Sequence, residues 1–263
     1  MQLSFWKMHG AGNDFILLDD RQLSFPTDDS AGIARLCDRR RGIGSDGLLL
    51  IQPPTRPDAS FRMRFFNPDG GEADLCGNGA RCIARLAHEI GAAPADMQIE
   101  TAAGLMRAVR LETGIRLFFP PPHDWRLNLE ITAADTTWPL HFVNSGVPHA
   151  VLNVDDVATV NVAQLGPLIR HHALFAPAGT NVNFVQVTGT NSLAIRTFER
   201  GVEAETLACG TGMVAAALLA TKLNWVQPPV TLTTAGGDQL IVELDPLTLT
   251  GPAEHSFRGT INH

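Results

Sequence analysis

Residues 197–217 read TFERGVEAETLACGTGMVAAA. An aromatic and an acidic turn lead to Cys209 in ACGTG, and Met213 to Ala220 then form a run of helix formers with almost no polar interruption. Such a run predicts a buried helix. Cys209 falls at or just before its N-terminus, where unpaired backbone N–H groups and the positive end of the macrodipole favour an anion. A thiol held there tends toward thiolate, the form that accepts a proton. A single cysteine beside a helix is more often a small buried hydrophobe. Here the pattern occurs twice.

The second copy is FNPDGGEADLCGNG, Phe66 to Gly79, followed by the helical run Ala80 to Ala87. Cys76 and Cys209 are 133 positions apart, and other pairs repeat near that offset. Asp46 in GIGSDG matches Asn181 in AGTNVNF, Thr101 in TAAG matches Thr233 in TTAG, and Asn13 in GNDFILLDD matches His149 in VPHAVLNVDD. Four anchors in one order at nearly one offset, 132 to 136 positions, indicate an internal duplication with a period the size of a domain. Two such domains related by an approximate two-fold axis are expected to bring their helix N-termini, and so two activated thiols, face to face.

At 263 residues the chain accommodates two domains of ordinary size. A net charge of −7 argues against nucleic acid or an anionic membrane as partner. No apolar stretch reaches the ~18 residues of a membrane span, and MQLSFWKMHGAG does not resemble a signal peptide. Four cysteines in a chain of this size, two of them in thiolate-favouring motifs, point to a reducing, cytoplasmic setting.

Leu3 to Asp20 reads as a strand, the loop HGAGN carrying Asn13, and a second strand. Ser30 to Arg41 has a helical stripe of Ile33, Ala34, Leu36 and Cys37, which makes Cys37 a core residue. GIGSDG, residues 42–47, spells a dinucleotide fingerprint, but a helix precedes it and the strand Leu48 to Ile51 follows, the reverse of what that site needs. Strands are expected at Phe61 to Asn67, Met97 to Glu100, Leu105 to Leu111 and Ile115 to Phe118. FPPPH, residues 119–123, cannot continue a ladder and reads as the linker between halves.

The second half repeats the plan. Strands at Leu140 to Asn144 and Ala150 to Val154 flank the loop SGVPH, a helix lies near Val162 to His172, and strands follow at Val182 to Val187 and Leu193 to Phe198. After the Cys209 motif come strands Val230 to Thr233, Gln239 to Leu244 and Leu247 to Thr250. The tail from Pro252 returns to the first half. The expected fold is α+β: two pseudo-two-fold-related domains, each a curved, mostly antiparallel sheet around a central helix. Residues 1–120 with 252–263 form the domain of Cys76, and residues 121–251 that of Cys209.

Two facing thiols could form a disulfide, bind a soft metal, or take and return a proton on opposite faces of one carbon. No CxxC or HxxxH spacing supports a metal, and a redox dithiol usually sits within one CxxC. The proton reading explains more. Each cysteine is followed by Gly-x-Gly, which lets backbone N–H groups approach a carboxylate and stabilise the charge that develops when its α-proton leaves. A thiol near pKa ~8.5, lowered by the helix, suits exchange around neutrality. No lysine setting for pyridoxal phosphate, P-loop or metal cluster is visible, so no cofactor and no metal is expected.

The strings KMHGAGNDF, FFNPDGGEADLCGNGARC, GTNVNF and ERGVEAETLACGTG, spread over nearly the whole chain, resemble diaminopimelate epimerase. The resemblance implies that family's two-domain fold and cofactor-independent interconversion of LL- and meso-2,6-diaminopimelate, in lysine and peptidoglycan precursor biosynthesis. Carried over, Cys76 accepts and Cys209 donates the proton in the LL-to-meso direction, with His149 assisting Cys76 and Glu199 assisting Cys209. Asn13, Asn67, Asn181, Glu199 and Arg200 bind substrate, while Gly77 with Asn78 and Gly210 with Thr211 cradle the reacting carboxylate. The small molecule is the partner implied, and a homodimer is compatible with it.

Two positions depart from a common form of the pattern. Many relatives have Asn where this chain has Val147, and some have Gln where it has Gly47. The resemblance implies that both changes remove contacts available to the far end of the substrate, where the distal stereocentre is discriminated. The same fold hosts proline-type racemases and phenazine-pathway isomerases, for which the Asn and Arg set here is a poorer match than for a long dicarboxylate. A binding protein that kept the scaffold has no use for two thiols.

Overall fold

Phe15 to Leu18 and Leu48 to Ile51 are apolar without alternation, a pattern that requires cover on both faces of a sheet. The structure, a computed structural model that describes residues 2–262, provides it. The chain divides into two compact units, Met1–Leu117 with Gly251–His263 and Phe118–Thr250.

In the first unit, β1 (Gln2–Gly10) and β2 (Asn13–Asp19) form an antiparallel hairpin. Its two turn residues, Ala11 at φ 55° and Gly12 at φ 86°, are both left-handed, as the tightest hairpins require. Asn13 therefore opens a strand rather than lying in a loop. Helix α1 (Ser30–Cys37) leads to β3 (Leu48–Gln52), parallel to β2. Then come β4 (Phe61–Phe66), the short β5 (Glu72–Ala73), helix α2 (Gly77–Glu89), β6 (Asp96–Thr101), β7 (Gly104–Leu111) and β8 (Gly114–Phe118). β6 is parallel to β4, and the other neighbours are antiparallel. Helix α1 stops at Cys37, short of the expected Arg41, because Asp38 is extended and its carboxylate accepts the N–H groups of Arg40 and Arg41.

The second unit repeats this order. β9 (His123–Ala133), β10 (Thr136–Asn144) and β11 (Pro148–Asn153) are antiparallel, and helix α3 (Val162–Arg170) leads to β12 (Asn181–Gly189), parallel to β11. β13 (Ser192–Glu199) and β14 (Ala204–Thr206) precede helix α4 (Gly210–Lys222). β15 (Val230–Thr233), parallel to β13, then begins the meander with β16 (Gln239–Leu244) and β17 (Leu247–Gly251). β9, a strand beyond those expected from the sequence, alternates Trp125, Leu127, Leu129 and Ile131 along its length. Its counterpart in the first unit comes from the chain's far end: β18 (Glu254–Asn262) lies antiparallel to β1 as β9 does to β10.

The helices take the two faces of each sheet. Ile33, Leu36 and Cys37 of α1 pack with Ile16, Leu18, Leu48, Leu50 and Phe66. Val162, Leu165 and Ile169 of α3 pack with Val182 and Phe184 in the same way. The alternate residues face the longer helices: Leu49 and Phe15 lie against Gly79 of α2, and Asn183 lies against Gly212 of α4. Helix α4 is buried from Gly212 through Ala220, so it is apolar nearly all round.

Candidate active site

Each longer helix begins on a cysteine. Cys76 is the N-cap of α2, at φ −131° and ψ 118°, and Cys209 is the N-cap of α4, at φ −115° and ψ 107°. Both are extended, and their carbonyls accept the first helical bonds, from Ala80 at 2.8 Å and Met213 at 3.0 Å. The N–H groups of Gly77, Asn78 and Gly79, and of Gly210, Thr211 and Gly212, belong to first turns that have no acceptor within the helix. A Cβ added at Gly77 would meet nothing within 4 Å. Cys76 is half-buried and Cys209 is 7% exposed. The other two cysteines are core: burial pushes the Cys82 thiol up to about 12 and raises Cys37 as well.

In the first unit the structure joins Asn13 and Asn78. Asn78 Nδ2 donates to Asn13 Oδ1 at 2.5 Å, and Asn13 Nδ2 donates to Asp46 Oδ2 at 3.1 Å. Arg81, fully buried one turn into α2, donates from its guanidinium to Asn78 Oδ1 at 2.9 Å. A carboxylate that only accepts and a guanidinium that only donates thus orient both amides. Arg39 bridges Asp46 to Asp14, which Lys7 also contacts. Burial raises the Asp14 carboxyl, but the hydrogen bonds from Arg39 and Lys7 outweigh it and hold the group well below the usual carboxylate range. Asn67 lies in the exposed turn before β5, closed by Gly70 N–H to Asn67 O at 2.9 Å. Gly70, at φ +85°, sits where an added Cβ would be 2.1 Å from the Ser30 carbonyl.

In the second unit the equivalent pair is His149 and Thr211, with Nε2 and Oγ1 2.9 Å apart. Thr211 Oγ1 is also 3.6 Å from the Cys209 sulfur. His149 is completely buried near the start of β11, and burial together with the charge of Arg200 lowers it to about 3. It is therefore neutral near neutral pH. Glu199 ends β13 within hydrogen-bond reach of Cys209 and accepts from Thr206 Oγ1; burial raises its carboxyl against both contacts. Asn181 spends its amide on the backbone, donating to Pro148 O at 2.9 Å and accepting from Arg200 N at 2.8 Å. These two bonds pin the start of β11 to the turn that carries Arg200.

Sequence reasoning missed Arg81 and Asn183. Asn183 alone carried a signal, a second polar residue two positions after Asn181 in an otherwise apolar strand. Of the two departures, Gly47 has a structural account: a Cβ there would lie 2.6 Å from the Phe65 ring and 2.7 Å from the Phe66 carbonyl.

The family model described as diaminopimelate epimerase matches residues 5–114 and 141–255. The diaminopimelate epimerase of Chlorobaculum tepidum is 43% identical over 262 residues, covering 97% of this chain and 99% of that one. That of Aquifex aeolicus is 39% identical over 275 residues, covering 99% and 98%. Among solved structures, a Bacillus anthracis phenazine biosynthesis protein of the PhzF family covers the whole of both chains at TM-score 0.76 and 14% identity. A probable proline racemase from Agrobacterium radiobacter covers 99% and 92% at TM-score 0.70 and 18% identity. Those two likenesses concern the fold. With two cysteine-capped helices, and relatives matched along nearly their full length, the chain belongs to the diaminopimelate epimerase family.

Proposed function

We propose that this chain interconverts LL- and meso-2,6-diaminopimelate, with Cys76 and Cys209 as its two bases and no cofactor. The observation that carries the reading is the pair of extended cysteine N-caps, each followed by a Gly-x-Gly first turn. One thiolate takes the α-proton, and the other thiol delivers a proton to the opposite face of the same carbon. The electron pair left on the α-carbon spreads into the α-carboxylate, and first-turn N–H groups stabilise the added charge where it develops. The reverse reaction exchanges the two thiols.

Glu199, raised by burial and within reach of Cys209, is suited to hold a proton beside that sulfur. Asn13, Asn67, Asn78, Asn181, Glu199, Arg200 and Thr211 are the proposed substrate contacts, with Gly77 and Gly210 giving the backbone room to approach. A cytoplasmic location and a homodimer belong to the same reading. The test is LL-diaminopimelate in deuterated water, followed by NMR. Solvent deuterium should enter at one α-carbon as meso product forms. A purified protein that binds the amino acid and exchanges nothing is a binding protein, and the epimerase reading falls.

A further inference from the structure

His149 is completely buried, and its two ring nitrogens meet different partners. Nε2 faces Thr211 Oγ1 at 2.9 Å, and Nδ1 faces Asn183 Nδ2 at 3.1 Å. Which nitrogen holds the proton follows from a group two bonds away. Asn183 Nδ2 also donates to the carbonyl of Ala150 at 2.9 Å, and a carbonyl can only accept. The amide nitrogen must therefore lie on that side. Thr197 Oγ1, donating to Asn183 Oδ1 at 3.0 Å, agrees with the same orientation. The second N–H of that amide points at His149 Nδ1, so Nδ1 must offer a lone pair and Nε2 must carry the proton. Nε2–H then donates to Thr211 Oγ1. The hydroxyl keeps its own proton to give, and the Cys209 sulfur lies 3.6 Å away. A thiolate only accepts, so with Cys209 ionised that contact runs from Thr211 to the sulfur.

We propose that Asn183 is a positioning residue: by donating to His149 Nδ1 it fixes the Nε2–H tautomer, and so makes Thr211 a hydroxyl donor to the Cys209 sulfur. The relay runs one way, from Asn183 through His149 and Thr211, and it stabilises the thiolate. His149 in it is a fixed donor rather than a proton reservoir, since a proton on Nδ1 would face an N–H. Burial and the charge of Arg200 press the same way. Glu199, on β13, is also within hydrogen-bond reach of the sulfur. Ser145 Oγ steadies the turn by donating to the Thr211 carbonyl at 2.8 Å. The inference deepens the reading of Cys209 as a catalytic base and rests on it for its purpose, not for its geometry.

Two measurements test it without substrate. In protein labelled with 15N-histidine, the His149 ring, assigned by its loss in His149→Gln, should show Nε2 protonated and Nδ1 bare, unchanged from neutral pH down to about pH 5. A ring that titrates near its ordinary ~6.5, or that carries its proton on Nδ1, overturns the proposal. In Asn183→Asp the carboxylate has no N–H to give, so the proton should move to Nδ1. A folded variant that keeps Nε2–H with Nδ1 bare also overturns it.

The second measurement is the iodoacetamide alkylation rate at near-neutral pH, read on the separate Cys76 and Cys209 peptides. Thr211→Val should slow Cys209 by about tenfold or more, the worth of a hydrogen bond to a charged group, with Cys76 unchanged. Thr211→Ser should restore the rate. Equal Cys209 rates in wild type and Thr211→Val sink the relay whether or not Asn183→Asp folds. A protein that passes both tests yet moves no deuterium into diaminopimelate keeps the relay and loses the epimerase reading. The opposite pattern keeps the epimerase and loses the relay.

Discussion

An added Cβ at Gly212 would lie 2.3 Å from Asn183 Oδ1 and 3.3 Å from the Cys209 sulfur. Replacing a helical glycine with alanine ordinarily gains about 1 kcal/mol. Here the overlap is with a fully buried amide that holds His149 and Thr197, and overpacking of that kind costs about 1–3 kcal/mol. Gly212→Ala is therefore expected to lower the urea midpoint, and a raised midpoint would show that Asn183 can move aside. The cysteines are tested more directly. Cys76→Ala and Cys209→Ala should each abolish epimerisation while circular dichroism stays native, and substantial turnover by either excludes two bases. His149 also has a consequence for stability. Its native pKa of about 3 lies below the ordinary 6.5, so below that value the unfolded chain binds a proton the native one refuses. Stability is then lost as pH falls from about 6.5, by up to ~1.4 kcal/mol per unit, before the carboxylates near ~4 contribute. Denaturant titrations at pH 7 and pH 5 should differ accordingly, and His149→Asn should flatten the difference.

At the scale of elements, the longer helices hold the candidate site by being buried rather than by propensity alone. Leu219 on α4 is fully buried, and Leu219→Ala should cost about 2–5 kcal/mol through lost transfer energy and the cavity left behind. The midpoint of chemical unfolding reads this, and a change below ~1 kcal/mol would mean that α4 packs loosely. β18 has a comparable part in the first unit. It pairs along β1, while the residues just before it accept from α2: Arg81 Nε reaches Pro252 O at 3.1 Å and Arg85 reaches Ala253 O at 2.5 Å. Deleting residues 252–263 removes both acceptors and the strand partner. The truncated chain should lose protection from hydrogen exchange in β1 and α2 while the second unit keeps its own. Uniform protection in the truncated protein would contradict this.

For the whole molecule, the proposed substrate contacts predict selection by length. An arginine held to a distal carboxylate is charge-assisted and geometrically demanding. Arg200 is oriented in part by its backbone N–H, which donates to Asn181. A site built to hydrogen-bond a substrate group rejects an analogue lacking it by about four orders of magnitude. Diaminopimelate should therefore exceed proline, alanine and glutamate in kcat/KM by a wide margin, and Arg200→Ala should narrow it. Comparable turnover of proline would move the chain toward racemases of the kind that share its fold.

Much of this was legible in the residues. The repeated Cys-Gly-x-Gly directly before a run of helix formers determined that Cys76 and Cys209 lie at helix N-termini, and in the structure each Gly-x-Gly is the first turn of the helix its cysteine caps. The offset of 133 between the cysteines determined that the two halves share one plan, and both units show the same order and sense of strands. Hydrogen-bond direction was not legible. That Asn13 opens a strand follows from the Ala11–Gly12 turn, whose left-handed alanine no composition rule demands. That the first unit takes its last strand from residues 254–262 depends on long-range pairing. The proton on His149 is set by an Asn183 amide that a carbonyl orients, and those groups meet only because β11 and β12 run parallel with His149 beside Asn181. Periodicity and spacing carry information along the chain. Which buried polar group faces which lone pair is decided where distant segments meet, and only the tertiary structure holds that information.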